Sequence, residues 1–262
     1  MDMKNPFDLS GRIALVTGAS RGIGESIAKL LASQGAHVII SSRKIDDCQR
    51  VADDIKNDGG SAEACACHIG DMEQISSIFA HIKNTHGKLN ILVNNAGIAS
   101  RGQSVEQTDP AELQRVVATH AFGPHYLSKL VLPKMRELDR GDIVMISSVA
   151  TRSLSGFGAP YNMGKTAMEA LAYTLAKEER PNGIRVNIVA PGLVDTDMGQ
   201  RLMNALQGVE DIRTLDESMP WGRVCQPDDV ANVVKFLVSD ANSYLTGERL
   251  YCDGGGQDIS RR

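Results

Sequence analysis

Three side chains in the stretch 143–165 have types and a spacing that could support proton transfer. Tyr161 and Lys165 are four residues apart, and Ser148 precedes the tyrosine by thirteen residues. Residues four apart share one helix face, so the phenol and the ammonium would lie together. Pro160 suits the first turn of that helix. Such a pair also occurs on many surface helices, so the pattern needs support from the rest of the chain.

A glycine-rich turn near the start of the chain is the second candidate for chemistry. A predicted buried strand, 12–17, is followed by Gly18, Gly22 and Gly24 and then by a helical pattern that runs to residue 35. Glycines allow a tight turn, and the helix N-terminus offers unpaired N–H groups to a phosphate. The spacing, Gly-x3-Gly-x-Gly, differs from the Gly-x-Gly-x-x-Gly fingerprint. A purely structural turn is the alternative.

The elements that position these residues are strands and helices that alternate along the chain. The further predicted strands are 36–41, 62–67, 89–93, 143–146, 184–189 and 250–251. The further predicted helices are 46–57, 72–86, a long helix from 110 towards 138, and helices that begin at 160 and 227. This alternation predicts an α/β fold with parallel strands and helices on both faces of the sheet. Function is then expected at the carboxyl ends of the strands. No linker or repeat divides the chain, so one domain, 1–262, is predicted.

Composition excludes several classes of protein. The net charge is −4 and no basic run occurs, which argues against nucleic-acid binding. No apolar segment reaches membrane-spanning length, and the first residues lack the apolar core of a signal peptide. The five cysteines are odd in number and scattered, which indicates reduced thiols in the cytoplasm. Cys65 and Cys67 lack a second pair with ligand spacing, so no metal site is predicted.

Five motifs in this order resemble the short-chain dehydrogenase/reductase family over nearly the whole chain. They are Thr17-Gly18-x3-Gly22-x-Gly24, Asn94-Asn95-Ala96-Gly97, Ser148, Tyr161-x3-Lys165 and Pro191-Gly192-x3-Thr196. The resemblance implies a single-domain, doubly wound Rossmann-like fold with a seven-stranded parallel sheet. It also implies a nicotinamide cofactor, a small-molecule carbonyl or alcohol substrate, and commonly a homotetramer, with a homodimer as the alternative.

The resemblance also implies roles for individual residues. Tyr161 would deliver a proton to the carbonyl oxygen, and Ser148 would stabilise the charge that develops there. Lys165 would bind the nicotinamide ribose, and its cation is expected to lower the pKa of the phenol, ordinarily about 10. The full set of implied cofactor-binding residues is Gly18, Ser20, Arg21, Gly22, Ile23, Gly24, Ser42, Arg43, His68, Ile69, Asn95, Ala96, Gly97, Tyr161, Lys165, Pro191, Gly192, Val194 and Thr196.

Two positions depart from the family pattern. His120 stands on the long helix where the family usually has an asparagine that holds a water of a proton relay. A neutral imidazole has one donor and one acceptor nitrogen, so His120 is a candidate catalytic residue; the alternative is that it only packs the helix. Its titration near an unperturbed pKa of about 6.5 would make activity fall at lower pH. His68 stands where an adenine-contacting aspartate is frequent.

The choice of cofactor is predicted from the end of the second strand. Enzymes that use NAD frequently have an acid there, whereas this chain has Ser41-Ser42-Arg43, and Arg21 precedes the second glycine of the turn. Two guanidiniums facing a 2′-phosphate predict NADP(H).

Residues 195–221 are the predicted substrate-covering segment. They are rich in apolar side chains, notably Met198, Leu202, Met203, Leu206, Met219 and Trp221. Flexible, methionine-rich surfaces suit irregular apolar ligands, and the alternative is a helix pair that packs on the core. The favoured function is NADP-dependent reduction of an apolar ketone or 3-oxoacyl group. The alternatives are an alcohol or sugar dehydrogenase acting oxidatively, and a catalytically weak dinucleotide-binding or scaffolding protein.

Overall fold

The structure, a computed structural model, describes residues 5–256. In that range one parallel sheet has the strand order β3-β2-β1-β4-β5-β6-β7. Its strands are β1 (Ile13–Thr17), β2 (His37–Ser42), β3 (Ser61–Ala66), β4 (Ile91–Asn94), β5 (Gly141–Ile146), β6 (Ile184–Pro191) and β7 (Arg249–Cys252). The order reverses between β1 and β4, which places a ligand crevice at the carboxyl ends of those strands.

Helices cover both faces of this sheet. They are α1 (Gly22–Ser33), α2 (Ile45–Asn57), α3 (Met72–His86), α4 (Pro110–Val117), α5 (Gly123–Met135), α6 (Ala150–Ser153), α7 (Ala159–Glu179), α8 (Asp197–Gln207) and α9 (Pro227–Val238). The predicted Rossmann-like, doubly wound α/β fold and seven-stranded parallel sheet are thereby confirmed. The ends of the predicted 1–262 domain, 1–4 and 257–262, lie outside the described residues.

Two apolar cores account for the layering. Side chains of α1, α2 and α9 pack on one face of the sheet, and those of α3, α5 and α7 pack on the other. Successive strand residues point to opposite faces, so strands such as β1 and β4 contribute to both cores. None of the helices within residues 5–256 is both long and hydrophobic enough to cross a bilayer.

The predicted long helix differs from the structure in one respect. It is divided into α4 and α5 by a π-helical turn, Ala118–Phe122, in which the N–H of Gly123 donates to the carbonyl of Ala118. Pro124 explains the interruption, because it has no N–H to donate to the carbonyl of His120 four residues earlier. The irregular turn therefore places His120 at the side of the sheet crevice, and π turns are frequent at functional sites.

Candidate active site

The glycine-rich turn joins β1 to the N-terminus of α1. Gly18 and Gly22 have φ angles of +63° and +57°, which glycine adopts without strain. A Cβ atom on Gly24 would lie 2.3 Å from the Gly18 carbonyl oxygen, so no larger residue fits there. Arg21 occupies the N-cap position without a side-chain capping bond. The first N–H groups of α1 thus remain available to an anion, as a dinucleotide phosphate requires.

Thr17, which lies outside the predicted cofactor-binding set, holds the ends of β1 and β4 together. Its hydroxyl oxygen accepts hydrogen bonds of 3.0 Å from the N–H groups of Asn95 and Ala96. The Asn95 amide donates in turn to the carbonyls of Thr17 and Gly18, at 2.9 and 3.1 Å. These bonds fix the Asn95–Gly97 strand end beside the glycine turn, where the family motif predicts cofactor contact.

A single cleft of about 950 Å³ runs along this edge of the sheet. Most of the predicted cofactor-binding and catalytic residues line it: Gly18, Ser20, Arg21, Gly22, Ile23, Gly24, Ser42, Arg43, His68, Ile69, Asn95, Ala96, Gly97, His120, Tyr161, Lys165 and Thr196. Four predicted residues are not among those that line it: Ser148, Pro191, Gly192 and Val194. The structure therefore brings together residues from five separate strand ends.

Three of those four residues, in the stretch after β6, are held by backbone contacts. The Pro191 carbonyl accepts from the Val149 N–H, and the Gly192 N–H donates to the Cys252 carbonyl, both at 3.0 Å. Val194 is buried and pairs with Cys225. The backbone groups of these residues form hydrogen bonds that fix the loop after β6. Thr196, at the end of this loop, lines the cleft.

The end of the cleft beside β2 carries mixed charge. Arg43 is exposed and has no ion-pair partner among the described residues. Arg21 pairs with Asp197 at 3.2 Å, but both side chains are about two-thirds exposed, so this pair contributes little to stability. Lys44 and Asp47 also line this end. Over the whole lining of the cleft, five lysine and arginine side chains outnumber three aspartates, which leaves an excess of basic groups.

His68 and Ile69 follow β3 and lie at the same end. The His68 N–H donates to the Gln74 side chain at 2.8 Å, and its Nδ1 accepts from the Gly70 N–H at 3.0 Å. Ile69 is buried, and its carbonyl oxygen would lie 2.3 Å from a Cβ atom placed on Gly123. The loop therefore presents a ring and an apolar side chain to the cleft from a fixed backbone.

Tyr161 and Lys165 occupy the other end of the cleft, on the first turns of α7. The Lys165 Nζ lies 5.8 Å from the centroid of the Tyr161 ring and donates to the Ile146 carbonyl at 2.6 Å. Lys165 is almost fully buried. Ser148 follows β5, and its hydroxyl accepts from the Ala150 N–H at 3.2 Å. The predicted meeting of phenol, ammonium and hydroxyl at the carboxyl edge is what the structure has.

The predicted lowering of the Tyr161 pKa by the Lys165 cation is wrong, because the pKa is raised. Burial raises the pKa of Tyr161, and the opposing hydrogen bond comes from Ser148. Burial also lowers the pKa of Lys165 to about 7. The negative charge of Glu169 acts in the opposite direction and raises this pKa, but by less. The physical reason is that desolvation disfavours both charged forms, the phenolate and the ammonium. Tyr161 is consequently protonated at neutral pH, which is the form that can donate a proton.

Glu169 is a buried carboxylate that the sequence analysis did not single out. Its Oε1 accepts from the hydroxyls of Ser147 and Thr151 at 2.6 and 2.8 Å, and its Oε2 accepts from Arg249 at 2.7 Å. It lies one turn after Lys165 on α7. The only sequence signal was the four-residue spacing of a lysine and an acid. The paired carboxylate anchors α7 to β5 and β7 behind the reactive side chains.

His120 packs directly against the Tyr161 ring, edge to face, with 5.2 Å between ring centroids. Its Nε2 lies 2.8 Å from the Ile98 carbonyl, and its buried Nδ1 has no partner within the described chain. A Cβ atom on Gly97 or Gly164 would lie 2.8 or 3.0 Å from the histidine, so both glycines make room for the ring.

The expected titration of His120 near neutrality is wrong. Burial, together with the nearby Lys165 charge, lowers the pKa of His120 to about 3. The imidazole is thus neutral throughout the working pH range, with Nε2–H directed at Ile98 and the Nδ1 lone pair unused. A relay role for His120 stays a prediction, but a fall in activity from its protonation is not expected.

Residues 195–221 form their own small apolar cluster instead of a helix pair on the main core. Met203 of α8 packs with Ile212 and Val224. Met219 is half-buried against this cluster. Met198 lines the cleft, and Leu202, Leu206 and Trp221 are exposed, with Trp221 at 85%. Leu154, Phe157 and Met163 are also exposed, on the loop and helix that carry Tyr161.

Comparisons with known proteins agree with this arrangement. Residues 18–257 match the family model described as "Enoyl-(Acyl carrier protein) reductase". The chain is 35% identical to human "Dehydrogenase/reductase SDR family member 4" over 94% of this chain and 88% of the relative. It is 35% identical to the 3-oxoacyl-(acyl-carrier-protein) reductase FabG of Escherichia coli strain K12, over 95% and 98% of the two chains.

A solved structure is similar over the whole fold. The 7α-hydroxysteroid dehydrogenase in complex with NADH and 7-oxo glycochenodeoxycholic acid superimposes with a TM-score of 0.89. It shares 33% identity and covers 97% of this chain and 98% of its own.

Proposed function

Because the chain belongs to the short-chain dehydrogenase/reductase family, we propose that it is an NADP(H)-dependent oxidoreductase that reduces an apolar ketone or 3-oxoacyl group. The observation that carries the proposal is the shared cleft. Tyr161 and the buried Lys165 lie at one end, and the uncapped α1 N-terminus and Arg43 lie at the other.

The residues present fit a dinucleotide. The cradle of Gly18, Gly22 and Gly24 has no room for a Cβ atom at its narrowest point, and the first N–H groups of α1 are available for phosphate. Asn95, Ala96 and Gly97 would lie along the cofactor, and Lys165 and Thr196 would hold the nicotinamide end. When bound there, a reduced nicotinamide supplies the hydride.

The side chains of the chain itself supply the proton and the charge stabilisation. Tyr161, protonated at neutral pH, donates its phenolic proton to the carbonyl oxygen as negative charge develops there. The Ser148 hydroxyl donates a hydrogen bond to the same oxygen. Lys165 provides a cation beside the phenol when it is protonated, below its pKa of about 7. In the oxidative direction the same phenol would accept the proton from an alcohol.

The exposed apolar side chains around Tyr161 support an apolar substrate. Met198 and Leu202 on α8, and Leu154 and Phe157 on the loop that precedes α7, are 42–66% exposed. We propose that 195–221 covers the substrate and shields these surfaces from water. A 3-oxoacyl group and a bile-acid ketone appear in the names of two of the similar proteins reported above, and both compounds have an extended apolar part.

The cofactor preference is tested with Arg43. Wild type is assayed for turnover of a ketone panel with NADPH and with NADH at matched concentrations. Because Arg43 is exposed, its contact with a 2′-phosphate is expected to contribute about 1 kcal/mol, or several-fold in KM. Arg43→Ala should therefore raise KM for NADPH several-fold and leave KM for NADH unchanged. Arg180→Ala, also an exposed arginine, is the matched control.

Two results would contradict different parts of the proposal. Equal turnover of wild type with NADH and NADPH would overturn the NADP(H) preference. Oxidation of neither cofactor by any ketone, in protein that binds NADPH, would overturn carbonyl reduction.

Assembly and location complete the proposal. We propose a homotetramer in the cytoplasm, with a homodimer as the alternative, on the basis of the family resemblance. The five cysteines are free thiols, which supports a reducing compartment. The net charge of −4 supports the expectation that nucleic acid is not a partner.

A further inference from the structure

Three histidines and a glutamate meet on the face of the sheet covered by α3, away from the cleft. Glu63 of β3 accepts from two imidazoles through one oxygen, Oε1: His86 Nε2 at 2.8 Å and His81 Nε2 at 3.2 Å. The His37 ring lies beside that of His86, with 4.8 Å between centroids. Ligand atoms of His37, Glu63 and His86 all lie within 4.8 Å of one another.

Strand register and helix placement produce this cluster. His37, the first residue of β2, pairs with Ser61 on β3, and Glu63 lies two residues further on. Residues two apart on a strand point to the same face, so Glu63 shares the face of His37. His81 and His86 come from the last two turns of α3, which packs on that face. Residues distant in sequence thus converge from three elements.

The hydrogen bonding of the His37 ring leaves one of its nitrogens free to bind a metal ion. Its Nδ1 lies 2.7 Å from the Ser61 hydroxyl. Its Nε2 is buried and has no hydrogen-bond partner in the part of the chain that the structure describes. When Nδ1–H donates to the Ser61 hydroxyl, Nε2 carries an unused lone pair. In metal-binding histidines, a hydrogen bond from the ring nitrogen that does not bind the metal fixes the tautomer in the same way.

We propose that His37, Glu63 and His86 bind one zinc ion, with His81 or water as the fourth ligand. Tetrahedral Zn²⁺ with bonds of about 2.0–2.1 Å separates its ligand atoms by roughly 3.3–3.4 Å. In the structure, the Glu63 Oε1 atom lies 2.8 Å from His86 Nε2 and 3.2 Å from His81 Nε2, and the ligand atoms of the three-residue set lie within 4.8 Å of one another. Atomic shifts of about 1.5 Å or less would therefore reach the zinc geometry. Two imidazole nitrogens and a carboxylate favour zinc over magnesium, which prefers oxygen ligands.

The position of the site indicates a structural effect. Ion binding would tie the edge strand β3 and the start of β2 to the end of α3. An ion that binds the folded chain and not the unfolded chain raises stability by mass action. Side-chain exposures of 14% for His86 and 25% for Glu63 leave an entry path from solvent.

The test is zinc binding by the full-length protein after removal of metals with a chelator. Isothermal titration calorimetry with ZnCl₂ should give one site per chain with a micromolar or tighter Kd, and MgCl₂ should give no comparable heat. Zinc should also raise Tm. His86→Gln and Glu63→Gln should each weaken zinc affinity by at least about tenfold. His125→Gln, at an exposed histidine of α5, should bind zinc as wild type does.

Two further measurements separate this site from other zinc-binding groups and from misfolding. Cys225 and Cys252, whose Sγ atoms lie 3.9 Å apart, are a possible competing pair. Cys225→Ser/Cys252→Ser should therefore retain the full affinity. In folded wild type, histidine ring NMR signals of His37 and His86 should shift on zinc addition. Absence of stoichiometric zinc binding, equal affinity in His86→Gln, or unshifted signals would overturn the proposal.

Discussion

Two regions of this molecule each hold a buried imidazole nitrogen that lacks a hydrogen-bond partner within the described residues. At the carboxyl edge of the sheet it is Nδ1 of His120, and on the α3 face it is Nε2 of His37. The neighbours differ in sign. His120 lies near the Lys165 cation and between Gly97 and Gly164, whereas His37 lies beside the Glu63 carboxylate and a second imidazole.

The difference shows that neighbours decide what an unpartnered imidazole can do. A cation and complete burial keep His120 neutral and repel any further positive charge, so that ring suits a packed wall beside Tyr161. A carboxylate and partial exposure provide the negative charge and the access that a divalent cation needs. The same residue type therefore forms a neutral wall beside Tyr161 in one region and would bind the proposed zinc ion in the other.

Among the changes that test this comparison of the two histidines, the largest expected effect comes from removing the cation beside His120. Lys165→Met should lower kcat by at least about 100-fold and weaken NADPH binding, because the ammonium beside the phenol and the ribose is lost. It should also raise the pKa of His120, since repulsion by Lys165 contributes to the lowering. Steady-state kinetics and a histidine NMR titration measure the two effects. Lys177→Met, at an exposed position of the same helix, is the control. If the pKa of His120 is unchanged in Lys165→Met, burial alone sets that pKa.

A smaller effect is expected on stability at low pH. The folded pKa of His120 is about 3, and the unfolded pKa is about 6.5. Between these values the unfolded chain binds a proton that the folded chain does not, so His120 makes stability fall as pH falls below 6.5. This slope is at most about 1.4 kcal/mol per pH unit. Urea unfolding at several pH values should show a flatter decline for His120→Asn than for wild type.

The exposed His125 supplies the comparison for that experiment. His125→Asn should follow the wild-type curve, because an exposed imidazole is solvated in both states. Parallel curves for wild type and His120→Asn would mean that His120 can be protonated in the folded protein.

The sequence predicted those features that depend on local pattern. The apolar runs placed every strand to within two residues, and Met72–His86 was predicted with the observed bounds. The motifs of Gly18–Gly24 and Tyr161–Lys165 placed the two ends of the cleft, because parallel strands bring their carboxyl ends to one edge.

Features that depend on long-range contact could not be predicted. The partners of Glu169 come from the residue after β5, from α6 and from β7, and no spacing along the chain reveals them. The cluster of His37, Glu63 and His86 depends on the register of β2 against β3 and on the end of α3. The pKa of His120 depends on its burial, which follows from tertiary packing and cannot be read from the residue type.

The most direct test of the central claim is Tyr161→Phe, because it removes only the phenolic oxygen from the cleft. NADPH affinity is measured by fluorescence titration, and turnover is measured on the best ketone of the panel. Tyr244→Phe, the same change at a side chain that is 94% exposed, is the control. If Tyr161 is the proton donor, Tyr161→Phe should bind NADPH nearly as wild type does, and its kcat should fall by about 10²–10⁴-fold. Wild-type turnover by Tyr161→Phe would contradict the account.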